Sequence, residues 1–224
     1  MSVPPQPRSV DGSGRVIHSQ ADDAFSRRCA SRSQFRRLYD RGDLPVYVDH
    51  TGGRSNRVGW RLEREALDYH HYLPVFMEGL CEQEDPYRFL AIQGSIDLIE
   101  AASERIVPVI PQLILPLKKA LNTRSKFVVL AVAHILITML RSSRGVGLAL
   151  VPYYRQLLPV LGMFRNCQVN CGDDFEWAQW RGLGIADAVN AALEACELTG
   201  GQDALINIKY VIPGYESVAR STIN

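Results

Sequence analysis

The sequence predicts a mainly α-helical protein. The expected architecture is a HEAT/armadillo-like α-solenoid over residues 34–224, opening with a short N-terminal β-hairpin and preceded by an extended, disordered basic arm over residues 1–33. Three observations carry this reading. Apolar residues recur at helical spacing in several segments. An apolar-Pro-apolar signature returns at Leu73-Pro74-Val75, Leu115-Pro116-Leu117 and Leu158-Pro159-Val160, with prolines 42 and 43 residues apart. HEAT and armadillo units repeat every ~40–47 residues and stack because none can bury its apolar face alone. The first 33 residues, finally, are rich in Pro, Ser, Gly and Arg, hold few large apolar residues and show no period.

Each element has its own signal. Ordered structure is expected from about Phe35. Val46-Tyr47-Val48 and Val58-Gly59-Trp60-Arg61-Leu62 flank Thr51-Gly52-Gly53-Arg54-Ser55-Asn56, which reads as a hairpin with a Gly-containing loop. Asp68 is a candidate N-cap for a helix that carries the aromatic pair Tyr69 and Tyr72 against the body. Asp85 before Pro86 predicts a second start, with proline in the first helical position. Phe89, Ile92, Ile96 and Ile99 then form an apolar stripe, with Arg88, Gln93, Asp97 and Glu100 on the other face. Residues 127–140 are apolar nearly all round, which describes a helix buried on several sides. His134 inside it reads as a hydrogen-bonded core histidine. A further helix spans about 182–198, with Ala186, Val189, Leu193 and Cys196 on one face and Gly200-Gly201 as its stop.

Charge is unevenly distributed. Before Gly42 there are eight arginines, no lysine and four aspartates, a net +4; the remainder carries 17 basic and 20 acidic residues. A basic arm on a mildly acidic body suggests an acidic partner for the arm. The candidate contacts are Arg27, Arg28, Arg32, Arg36 and Arg37. Nucleic acid is a poor fit, since the arm lacks interleaved aromatics and the body has no basic stripe.

Catalytic and cofactor motifs are missing from the sequence. There is no P-loop, no G-x-G-x-x-G after a strand, no H-E-x-x-H and no Ser elbow. Gln93-Gly94-Ser95-Ile96-Asp97 falls mid-helix, where its serine would face a neighbouring turn. His70 and His71 are adjacent, so on a helix they diverge by about 100° and cannot share an ion. Cys167 and Cys171 form a lone C-x-x-x-C, read as a loop with two free thiols. Gly172-Asp173-Asp174-Phe175-Glu176 lacks the spacing of a calcium loop and reads as solvated. Trp177 and Trp180 would share a helix face, as core in the favoured reading and as a partner anchor in the other. Five scattered cysteines read as free thiols in a reducing compartment. No stretch suits a signal peptide or a membrane span. The expectation is therefore a cytosolic or cytoskeletal protein with no enzymatic activity, no cofactor, no metal and no membrane contact.

Four segments carry a family resemblance: Phe35-Arg36-Arg37-Leu38-Tyr39-Asp40-Arg41-Gly42-Asp43-Leu44-Pro45; Leu67-Asp68-Tyr69-His70-His71-Tyr72-Leu73-Pro74, continuing to Glu82; Leu150-Val151-Pro152-Tyr153-Tyr154-Arg155-Gln156-Leu157-Leu158-Pro159-Val160-Leu161; and Asp203-Ala204-Leu205-Ile206-Asn207-Ile208-Lys209-Tyr210-Val211-Ile212-Pro213-Gly214-Tyr215-Glu216-Ser217. The chain resembles the Parkin co-regulated gene proteins of ciliary and flagellar axonemes. The resemblance implies an α-solenoid and a non-enzymatic microtubule-binding protein in the cytoplasmic cytoskeleton of the cilium or flagellum. The implied place is the inner junction of doublet microtubules, bridging A- and B-tubule. The implied partners are α/β-tubulin, a small β-rich inner-junction protein and other microtubule inner proteins. The alternative is a soluble α-solenoid adaptor that holds a peptide or small protein in trafficking or a chaperone-linked complex.

Overall fold

The structure is a computed structural model that describes residues 33–50, 56–167 and 184–217. These residues are mainly helical, with one small two-stranded antiparallel sheet. The arm up to Arg32, residues 51–55 of the hairpin loop, the segment 168–183 with Cys171, Asp173, Asp174, Trp177 and Trp180, and the residues after Ser217 lie outside the described residues.

Helix α1 (Gln34–Arg41) begins at Ser33, whose Oγ accepts from the Arg36 N–H at 3.1 Å. Ser33, counted with the arm in the sequence reading, thus belongs to the folded body. Gly42 ends the helix at φ +79°, and the N–H groups of Gly42 and Asp43 reach the carbonyls of Tyr39 and Leu38. This left-handed stop is open to glycine because it has no Cβ. Strands β1 (Val46–Asp49) and β2 (Arg57–Trp60) pair with Val46 opposite Trp60 and Asp49 opposite Arg57, which is the expected hairpin.

Helix α2 (Tyr69–Glu78) starts on Asp68, whose carboxylate accepts from the His70 N–H at 3.0 Å, as the sequence predicts. Its Phe76 is an aromatic hub. Phe35 of α1 meets it edge to face at 5.1 Å between ring centres, and Trp60 of β2 stacks on it at 5.8 Å. A Cβ at Gly94 of the next helix would collide with the Phe76 ring, so glycine there sets the approach. The Trp60 indole N–H donates to Asp97 Oδ2 at 2.9 Å, fastening the hairpin to that helix.

Helix α3 (Tyr87–Ala102) starts one residue later than the sequence predicts. Pro86 stands at the cap, and the Asp85 carboxylate is taken by the Arg88 guanidinium at 2.7 and 3.3 Å instead of a backbone N–H. Ile92, Ile96 and Ile99 are buried and Phe89 is half-buried, but Leu90, Ala91, Gly94, Ser95 and Leu98 are buried as well. The stripe widens to several sides because α2, the hairpin and a later helix all press on α3. Ser95 Oγ donates to the Ala91 carbonyl at 2.7 Å, the local bond expected of a mid-helix serine.

Helices α4 (Ile110–Asn122), α5 (Lys126–Ser142), α6 (Arg144–Leu150), α7 (Tyr154–Phe164), α8 (Ile185–Thr199) and α9 (Ala204–Val211) complete the body. Helix α2 packs on α4, and α4 on α7; α3 packs on α5, and α5 on α8. The same chain order also pairs α2 with α3, α4 with α5 and α7 with α8, and α9 closes on α7 and α8. Pro74, Pro116 and Pro159 of the repeated signature each lie inside a helix, α2, α4 and α7 respectively. Helix α5 is buried along almost its whole length, as its composition predicts. Ala186, Val189, Leu193 and Cys196 of α8 are buried together, and the helix stops at Gly200. There the Tyr154 hydroxyl donates to the Cys196 carbonyl at 2.9 Å, tying α7 to the end of α8. Past α9 the chain returns over α8, where Tyr215 and Ser217 both donate to the Glu197 carboxylate.

Two tests follow from this packing. Ile96 is 6% exposed, so Ile96→Asp buries an unpaired carboxylate and costs roughly 3–5 kcal/mol. A melting curve that matches wild type would place Ile96 at the surface. The half-buried His134 ring is held neutral, its pKa lowered to about 4 by burial and then by repulsion from Arg141. An unfolded histidine titrates near 6.5. Protons therefore bind the unfolded chain first, and the neutral ring's contribution, complete above about 6.5, is lost as pH falls toward 4. Denaturant titrations between pH 7 and 5 should show this fall, and His134→Gln should flatten it over that window.

Candidate functional site

The five arginines proposed as partner contacts divide. Arg27, Arg28 and Arg32 precede the described residues. Arg37 is exposed on α1, where helical geometry turns it away from the buried Phe35 two residues earlier. Arg36 is half-buried and works within the fold. Its guanidinium pairs with Glu84 at 2.8 Å and Glu82 at 3.5 Å and lies 4.4 Å from the centre of the Tyr87 ring. Glu82 also accepts from the Ser33 N–H at 3.0 Å, and the Tyr87 hydroxyl donates to Asp40 at 2.7 Å, a bond that holds that hydroxyl above its ordinary pKa. Arg36 therefore fastens the start of α1 to the loop before α3. The arginine count could not separate it from its neighbours, because its carboxylate partners lie more than 45 residues away.

The adjacent histidines do not converge. His70 Nδ1 faces the Gln112 amide of α4 at 3.2 Å, and His71 sits edge to face with Tyr72. Gln112 Nε2 is the donor, so Nδ1 accepts and the His70 proton is assigned to Nε2. Among the described residues, no group of three His, Cys, Asp or Glu is placed to hold a metal ion. Cys81, Cys167 and Cys196 are free thiols, and burial pushes the Cys196 thiol up to about 12, away from reactivity. Among the described residues no helix is long and apolar enough to cross a membrane.

What sequence reasoning missed is a face. The residues of α4, α7 and α9 include no carboxylate, while Lys118, Lys119, Arg155 and Lys209 lie on them. Helices α3 and α8 show the reverse pattern, with Asp97, Glu100, Asp187, Glu194 and Glu197 against Arg88. Leu115 is 70% exposed, Met163 57%, Ile206 70% and Tyr210 68%. All four belong to the carboxylate-free helices, while Leu198, 69% exposed, lies on α8 and Leu148, 61% exposed, on α6. Arg155 of α7 lies 4.5 Å from the centre of the Tyr210 ring of α9, and His70 touches Gln112, so the exposed sides of consecutive helices adjoin. The lysines were visible in the sequence; their assembly on one side depends on which helices touch.

The family model described as "ParcG: Parkin co-regulated protein" matches residues 33–217. The Parkin coregulated gene protein homolog of Mus musculus is 43% identical over 222 residues, covering 95% of this chain and 92% of the mouse protein. The family match begins at the Ser33 cap and ends at the Ser217–Glu197 bond, the two limits of the described fold. Neither name carries an enzymatic activity. On both grounds this chain is a member of the Parkin co-regulated protein family.

Proposed function

We propose that this protein is a non-enzymatic structural component of ciliary and flagellar doublet microtubules, an α-solenoid of HEAT/armadillo type that binds tubulin and bridges A- and B-tubule at the inner junction. The observation that carries the proposal is family membership over residues 33–217. Two features support the solenoid part. Successive helix pairs α2–α3, α4–α5 and α7–α8 stack in chain order, and the first helix of each pair carries a proline at the same place in the repeat. A stack of this kind holds broad surfaces at fixed spacing, which suits a periodic lattice better than a small ligand. Repetition along the lattice adds avidity that one weak contact lacks. Its neighbours in this reading are α/β-tubulin, a small β-rich inner-junction protein and other microtubule inner proteins.

The arm supplies a second attachment. Arg27, Arg28 and Arg32 lie in the arm, outside the described residues, and arginine favours bidentate contacts to carboxylates. Each exposed pair contributes only about 0.2–1 kcal/mol, so several act together with the body.

Removal of residues 1–32, leaving the Ser33 cap, should keep the body folded and weaken its retention on isolated doublets. Changing Arg27, Arg28 and Arg32 to glutamate should weaken it more than changing them to alanine, because repulsion adds to lost attraction. Salt should erode the full-length advantage, since exposed charges are screened beyond about 10 Å at 0.1 M. Co-sedimentation across a salt series reads all three. Equal retention of the truncated and full chains at every salt removes the arm from the mechanism. Complete extraction of the full chain from cilia by mild detergent points instead to the soluble adaptor.

A further inference from the structure

We propose that residues 213–217 form a releasable clamp across α7 and α8. The clamp closes while one carboxylate, that of Glu197, accepts from the hydroxyls of both Tyr215 and Ser217. It opens, with the rest of the stack intact, when negative charge is placed against that carboxylate. The inference does not depend on the microtubule reading.

Past α9 the chain runs extended. Tyr215 and Ser217 are buried and Glu216 between them is exposed, the alternation of an extended segment with one face on the body. Among the described residues the one sheet is the β1–β2 hairpin, so side chains take the place of a strand partner here. From α8, Glu197 Oε2 accepts from the Tyr215 hydroxyl at 2.8 Å, and Oε1 accepts from the Ser217 hydroxyl. Just past α7, Arg165 Nη1 donates to the Gly214 carbonyl, and its guanidinium lies 5.4 Å from the centre of the Tyr215 ring. Arg165 Nε donates in turn to Asn190 Oδ1 of α8 at 3.2 Å. Ile212, at the end of α9, lies so close to Gly162 of α7 that a Cβ there would meet it at 3.0 Å.

The clamp has something to hold. The chain between Phe164 and Ile185 is far longer than the ~2–8 residues that usually join packed helices, so it restrains the two helices little. The strap ties them at Arg165 and Glu197. It can also let go. An irregular segment at the edge of the fold, held by two side chains, opens at lower cost than a helix such as α5 that is packed on several sides. Charge is the natural trigger. Glu197 is half-buried, and Glu194, three residues earlier on α8, adds to the negative field at Tyr215, against which Arg165 is the opposing charge. A further negative group at Ser217 would meet Glu197 with little water between them.

The test is amide hydrogen exchange of the full chain, read by mass spectrometry in peptides that cover the strap, α7, α8 and α5. The Tyr215 N–H donates to the Ile212 carbonyl at 3.0 Å and should exchange at least roughly tenfold faster than the amides of α5. Glu197→Ala should speed the strap by about a further tenfold and loosen the Arg165 end of α7, with α2 and α3 as in wild type. Ser217→Asp should open the strap more than Ser217→Ala. Glu197→Gln loosens the strap by itself, yet it should partly close the Ser217→Asp strap again, because its amide can donate to the new carboxylate. If Ser217→Asp is too unstable to measure, Tyr215→Phe takes its place: it removes one hydroxyl, keeps the ring, and should speed exchange in the strap and not in α5. The proposal is overturned if the strap and α5 exchange at one common rate, or if Ser217→Asp and Ser217→Ala are equivalent. It is equally overturned if Glu197→Gln leaves the Ser217→Asp strap open, or if Tyr215→Phe leaves strap exchange unchanged.

Discussion

Helix α5 has almost no side it can leave in water. From Val128 to Leu140 its valines, leucines, alanines, Ile135 and methionine are buried, only His134, Ile137 and Thr138 are half-buried, and its charges, Lys126 and Arg141, stand at the ends. Each large aliphatic side chain gains ~1.5–3 kcal/mol by leaving water, but only when a neighbour covers it. The neighbours are α3 on one flank, α8 on the other, and α4 and α6 beside them. The rest of the architecture follows from this requirement. Helices before and after α5 in the chain must fold against it from opposite sides, and the resulting stack then has to cover its own ends. Helix α1 and the hairpin do so at one end through Phe35, Trp60 and Phe76; α9 and the Tyr215–Ser217 return do so at the other.

The prolines obey the same logic. A proline inside a helix costs about 3 kcal/mol and leaves a carbonyl without its donor. Such a carbonyl is tolerable where water or a partner can reach it and costly where neither can. Helices α3 and α5, pressed on several sides, contain no proline. The prolines stand in α2, α4 and α7, each four residues after an exposed residue.

Much of this was legible in the sequence. The hairpin, the Asp68 cap, the all-round apolar character of α5, the buried stripe of α8 and the mid-helix role of Ser95 are local properties. Each depends on residues within a few turns of one another, where alternation, capping chemistry and the 3.6-residue period operate. The start of α3 was read one residue early because Asp85 has two kinds of possible partner, a backbone N–H and the Arg88 guanidinium, and the charged partner prevails. The family was legible too, since its segments recur in order along the chain.

The candidate site was less legible. Arg36 and Arg37 are neighbours of one type, yet one closes an ion pair with Glu82 and Glu84 while the other faces solvent. Nothing in their flanks separates them, because the carboxylates arrive from a distant stretch of chain. The basic side of α4, α7 and α9 has the same origin: its residues lie in three separated segments that only tertiary packing sets side by side. The sequence by itself determined the hairpin, the helices α2, α3, α5 and α8 with the sides they bury, and which family the chain joins, because periodicity and composition act locally. Tertiary structure alone decided which charges are spent inside the fold and which are left to meet a partner, because pairing depends on distances that loop-separated helices acquire only when they pack.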